Sequence, residues 1–312
     1  MSDDGRPPLV SVASQLPPLA AEFGTAPRDS DMYTISCRCA VARGISVVAR
    51  AIDDWDEPTV ALLVPALRPV CEDLISLTFL ARYEQDVRAR IIRALARDSL
   101  RRDLSAQASF FADVRPWQPL LPELPNDLFD ESIESLAKEL KWPKRKGSPR
   151  WPSTYWMAEQ VGLTQLYRYV YRVTSNAVHF NPQNLLRMAW GHDEEPLQVG
   201  VSQFAGFYRE HLLVYGSYLT VQLLQRLEDP LCVSEEAREI AELVLFGLRI
   251  QPRWPEAVTF EEMNIPAPDH VKAWRAAMEV STDPTIRAIW ESTGPANVDD
   301  IHSEPDGSSG AN

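Results

Sequence analysis

Cysteine is scarce in this chain of 312 residues, with four thiols in all. Cys37 and Cys39 stand too close in sequence for an ordinary disulfide, and Cys71 and Cys232 stand alone. No spacing suits zinc, and free thiols fit a reducing compartment. Long apolar runs are also lacking. The most apolar stretch, Val60 to Leu80, is interrupted by Arg68, Glu72 and Asp73, which marks a core helix and argues against a membrane span. The opening MSDDGRPPLV has neither a basic start nor a continuous apolar segment, so no signal peptide is expected and the cytoplasm is the expected location. A Walker-type loop, a dinucleotide glycine fingerprint, a nucleophile elbow, HExxH and kinase motifs are all missing, and no cofactor is expected. No internal repeat is evident.

What the chain has is an excess of acid. Its net charge is −13 and its pI about 4.9. That balance favours solubility and disfavours sequence-blind binding to phosphate backbones, though one local basic site can still act on nucleic acid. Hydrophobic residues make up 45% and charged residues 24%, enough to build a sizeable core.

Apolar spacing is helical over most of the chain. Helices are expected over 31–52, with Asp31 or Ser30 as cap, and over 58–83, where Pro65 and Pro69 imply a kink or a late start. Others are expected over 85–111, 130–140, 154–180, 198–227, 234–248 and 269–292. Residues 1–30 and 293–312 are rich in Pro, Asp, Gly and Ser and read as disordered arms. Between them, 31–292 reads as one helical domain with a Pro- and Trp-rich excursion over 114–156. The expected fold class is all-α, an irregular multi-helix bundle.

The segment QLYRYVYRVTSNAVHFNP carries the most chemistry. At about 100° per residue, Gln165, Arg168, Arg172, Ser175, Asn176 and His179 share an arc roughly 100° wide. Leu166, Val170, Val173 and Ala177 lie opposite, with Tyr167, Tyr171 and Val178 on the flank. Pro182 follows, so His179 falls in the last turn, where the helix dipole favours imidazolium by about 0.3–1 kcal/mol. Arginine supplies charge-assisted donors to phosphate, and histidine moves a proton near neutral pH. The bland alternative is a polar helix face turned to water.

Arg68-x3-Glu72 on one helix, followed downstream by Trp151-Pro-Ser and Tyr171-Arg-x2-Ser175-x3-His179, resembles a bacterial helical family, a domain of unknown function. The resemblance covers roughly residues 31–230. It implies that Arg68, Glu72, Ser175 and His179 form one polar cluster inside a bundle, and it brings no established reaction. Arg172 and His179, with six residues between them, also resemble the Arg-x(4–6)-His signature of the HEPN helical ribonucleases and toxins. Arg187 and His192 fit the same signature with four residues between, and Val173 stands where a polar residue often follows the arginine. The HEPN resemblance implies a homodimer whose Arg and His cleave RNA without metal, in a toxin or phage-defence setting.

The Arg68–Glu72 pair has a structural alternative, because an i,i+4 ion pair in an apolar segment satisfies itself. It becomes part of a site only if Glu72 also reaches Ser175 or His179. The excursion KWPKRKGSPRWPSTYW interleaves Lys141, Lys144, Arg145, Lys146 and Arg150 with Trp142, Trp151 and Trp156, a pattern suited to single-stranded nucleic acid. Its alternative is a solvated loop whose tryptophans anchor it to the body. The expected function is a metal-independent endoribonuclease, with His179 as general acid and base, Arg172 and Ser175 beside it, Asn176 and Tyr171 supporting, and Arg168, Lys144, Arg145, Lys146, Arg150 and Trp151 holding RNA. The other reading is a non-catalytic interaction or sensor protein, or one with a small-ligand pocket between helices. No membrane partner is expected.

Overall fold

A computed structural model describes residues 8–121, 132–143, 150–178, 189–190, 198–200, 205–251 and 253–258, with isolated positions as far as 272. The chain divides into two compact units. One holds residues 1–249 with 254–257, and the other 250–253 with 258–312. The expected helix over 269–292 and the tail 293–312 fall in the second unit, almost wholly outside the described residues.

The first unit is all-α. Its helices are α1 (Pro8–Ala13), α2 (Ala20–Phe23), α3 (Met32–Asp53), α4 (Leu67–Leu80), α5 (Gln85–Val114), α6 (Ile133–Glu139), α7 (Thr154–Gln160), α8 (Thr164–Val178), α9 (Ala205–Arg226), α10 (Glu228–Leu231) and α11 (Glu235–Arg249). Among the described residues the extended structure is one antiparallel ladder of two residues a side, β1 (Ala189–Trp190) with β2 (Gln198–Val199). Residues 198–199 thus pair as a strand where helical spacing had been expected.

At the centre, α9 packs on α3, α4 and α11. Leu212, Leu213, Leu219, Leu223 and Leu224 of α9 meet Val41, Ile45 and Val48 of α3 and Leu74 and Ile75 of α4 in one continuous core. The α3–α9 crossing is close at Gly44, where an added Cβ would stand 2.6 Å from the Thr220 hydroxyl. The Asp31 carboxylate caps α3, accepting from the Thr34 N–H at 2.7 Å. Residues Pro58–Ala66 wind as a 3-10 helix before α4 begins at Leu67. That late start follows from Pro65 and Pro69, which have no N–H to give to a preceding turn.

Residues 9–23 are folded within the span 1–30 that was expected to be disordered, and residues 1–7 lie outside the described residues. Leu9, Val10, Ala13, Leu16, Leu19 and Phe23 are buried in the core. Pro17 and Pro18 read as breakers in sequence, yet they open a 3-10 turn that leads directly into α2. Val12 lies so close to α11 that a Cβ on Gly247 would stand 3.1 Å from it. Glu22 accepts from both the backbone N–H (3.1 Å) and the hydroxyl (2.8 Å) of Ser234, the residue that opens α11. Arg38 clamps the same corner, donating to the carbonyls of Glu22 (2.8 Å) and Thr25 (2.9 Å).

Candidate functional site

The expected helix over 154–180 is two helices. Gly162 takes φ +71°, and the Leu163 N–H reaches back to the Ala158 carbonyl at 2.8 Å, the bond of a Schellman end. The chain turns there, so α7 and α8 lie side by side against α4. This turn brings Tyr155 of α7 beside Tyr167 of α8, with ring centroids 6.3 Å apart. Tyr167 and Tyr171, one turn apart on α8, follow at 5.3 Å. The Arg68 guanidinium of α4 lies over Tyr171, 4.5 Å from the ring centroid. At the other end the Arg168 guanidinium lies over Tyr155 at 5.3 Å and donates to its hydroxyl at 2.6 Å. Three tyrosines therefore form a ladder with a guanidinium at each end.

Arg68 also donates through Nε to Glu72 at 2.9 Å, and both side chains are partly open, 26% and 36% exposed. The Glu72 hydrogen bond is the largest effect holding the Arg68 pKa above its ordinary value, and burial opposes it. Tyr167 is likewise pushed up, chiefly by burial, with Tyr171 and Glu72 adding to it. The Ser175 hydroxyl is buried and finds no hydrogen-bond partner among the described residues, so Glu72 does not reach it. Gln165, Arg168 and Arg172 are exposed, as the helical arc implies. Neither arginine forms an ion pair with a carboxylate among the described residues. The side chain of Asn176 and all of His179 lie outside the described residues, as do Lys144, Arg145 and Lys146.

The basic excursion takes the anchoring role. Trp142 is buried and donates through Nε1 to the Tyr83 hydroxyl at 2.8 Å. Trp151 packs edge-on against Trp142 at 5.1 Å and against Phe79 at 6.0 Å, and Trp156 against Phe79 at 5.6 Å. Trp151 is thus committed to an aromatic cluster under the loop and does not offer an open platform for a base. Arg150 is exposed. On α5, Arg90 makes a bidentate pair with Glu139 of α6 (3.0 and 2.6 Å), so it ties two helices together.

A second polar group went unseen in the sequence. His211 of α9 is 1% exposed, with no partner for Nδ1 among the described residues. Its ring meets Tyr215 at 4.5 Å, Phe207 at 5.9 Å and Tyr169 at 6.1 Å. Burial pushes its pKa down to about 4, so the imidazole is neutral at physiological pH. The Tyr169 and Tyr215 hydroxyls both donate to the Pro255 carbonyl, at 2.8 and 3.0 Å. The only sequence signal was one histidine in an apolar run, which says nothing of the aromatic rings that surround it. Asp73, beside Glu72, donates nothing to the ladder. It accepts from Arg43 of α3 at 2.7 Å, and burial raises its pKa to about 6 against the lowering effect of Arg43. Among the described residues no three His, Cys, Asp or Glu side chains group to hold a metal ion. No described helix is long and apolar enough to cross a membrane.

The fold and this surface define an all-α helical domain with a tyrosine and arginine face on paired helices. Residues 63–196, which hold α4 to α8 and both sequence motifs, match a family of unknown function, DUF5677. No curated protein and no solved structure matches the chain.

Proposed function

We propose that the chain binds RNA along the arginine-bearing face of α8 and cleaves it without a metal ion, in the toxin or phage-defence setting that the HEPN resemblance implies. The observation that carries this reading is the exposed pair Arg168 and Arg172, one helical turn apart and without a carboxylate partner among the described residues. A like-charged i,i+4 pair costs an isolated helix about 0.2–0.5 kcal/mol. An anionic ligand would offset that cost, and a phosphodiester suits two guanidinium forks. In this reading His179 accepts the proton of a 2′-hydroxyl whose oxygen then bonds to the adjacent phosphorus. The bond from phosphorus to the 5′-oxygen breaks, and that oxygen leaves with the proton returned by the His179 imidazolium, giving a cyclic phosphate and a 5′-hydroxyl. Arg172 stabilises the charge that builds on the phosphorane. Ser175, one turn before His179, positions the imidazole from its buried place on the helix. A homodimer in the cytoplasm is the state in which we expect this chemistry.

The test is cleavage of a mixed RNA pool in EDTA by wild type and by folded His179→Ala. Loss of cleavage in the variant, with cyclic-phosphate ends from wild type, is the expected result. Silence from well-folded wild type at high concentration would sink the reading. One observation favours the non-catalytic alternative, a structural network in an interaction or sensor protein. Arg68 and Glu72 satisfy one another, and Glu72 leaves Ser175 unpaired.

A further inference from the structure

We infer that the Tyr155–Tyr167–Tyr171 ladder, with Arg168 and Arg68 at its ends, is the track on which a single-stranded RNA lies beside the α8 arginines. The inference rests on the RNA reading above and deepens it by naming the form of the strand and the groups that hold its bases.

The ladder has the two components that a sequence-tolerant single-strand surface needs. Flat π faces take unstacked bases, and cations follow the backbone. Tyr171, 37% exposed, is the most open of the three rings. One of its faces carries the Arg68 guanidinium, itself a plane on which a base can stack. Arg168 is held in place by the Tyr155 hydroxyl and ring, so a phosphate meets a guanidinium that is already ordered. Arg172 follows Arg168 by one turn on the same exposed face. The local charge suits a polyanion although the chain's net charge is −13, because Arg168 and Arg172 have no carboxylate partner among the described residues. A duplex keeps its bases stacked inside and offers nothing to the rings, so the surface selects single strands. The tryptophans of the basic loop do not serve this purpose, because Trp142 and Trp151 are spent on each other and on the Phe79 cluster.

The experiment measures binding of a fluorescent RNA of about ten nucleotides, within the site sizes common for such surfaces. It uses His179→Ala chain in EDTA, so that the strand stays intact. Tyr171→Ala and Tyr155→Ala should each weaken binding by about 5- to 150-fold, the loss expected for one stacked base. Tyr171→Phe should bind as the parent does, and a fully folded baseline of each variant at the assay temperature separates lost contact from lost fold. Exchanging Arg168 and Arg172 together for Gln should reduce the salt slope of binding by about 1.4, from about 0.7 per phosphate released. Equal affinity for a duplex, or unchanged affinity in both tyrosine-to-alanine variants, overturns the track. If those variants bind normally while wild type still cleaves, the track falls and the cleavage reading stands. If they lose binding while wild type never cleaves, the track stands and the cleavage reading falls.

Discussion

The Arg68 guanidinium sits 4.5 Å from the centroid of the Tyr171 ring while its Nε holds Glu72 at 2.9 Å. One side chain of α4 is thereby fixed by a carboxylate on its own helix and by an aromatic face on α8. The two sequence motifs, one on each helix, meet through this arginine.

That meeting is measurable as a coupling. A double-mutant cycle of Arg68→Gln and Tyr171→Ala, read by urea unfolding, should give an interaction of about 0.5–1 kcal/mol, as for a partly exposed cation–π pair. Glu72→Gln should cost no more than about 0.5 kcal/mol, because an open i,i+4 pair is worth little. A coupling of zero would show that the stacked geometry contributes nothing to joining α4 and α8.

One buried and one half-buried group set opposite pH dependences. His211 has its pKa depressed by burial from 6.5 to about 4, so folding favours its neutral form. Its contribution is fully present above pH 6.5 and is lost as pH falls toward about 4, on the order of 3 kcal/mol at about 1.4 kcal/mol per pH unit. Asp73 is raised from 3.8 to about 6, mainly by burial. Its contribution is fully present below pH 3.8 and is lost as pH rises through about 6. In urea unfolding followed between pH 6.5 and 4, His211→Phe should flatten the acid loss of stability. Asp73→Asn should steepen it, because the compensating gain disappears. A His211→Phe profile that matches wild type would refute the assignment.

The N-terminal segment should behave as core. Leu16 is 0% exposed, so Leu16→Ala should cost about 2–5 kcal/mol and lower the urea midpoint accordingly. Leu62, 62% exposed, is the control, and Leu62→Ala should stay within about 0.5 kcal/mol of wild type. A mobile arm would make both changes silent.

These results mark where sequence reasoning reached and where it stopped. The body helices were legible because period and caps are local: Asp31 caps α3, and Pro65 with Pro69 delays α4. The exposure of Arg168 and Arg172 was legible for the same reason. The aromatic partners were not. Tyr155 joins Tyr167 only because Gly162 turns the chain between them. Trp151 looked like a free platform because its neighbours Phe79 and Trp142 are found only in the folded chain. The buried N-terminal segment was obscured by its composition, since Pro and Gly signal irregular backbone but do not reveal whether the leucines between them find a core.

The bond from Glu22 to Ser234 joins residues 212 positions apart. On a ribosome adding about 5–20 residues each second, the carboxylate waits roughly 10–40 s for its partner. Throughout that interval Leu9, Leu16 and Phe23 have no α11 to close the corner against. This segment, made long before α11, is therefore among the last able to finish folding. Its apolar side chains are the surface a nascent-chain chaperone would meet longest.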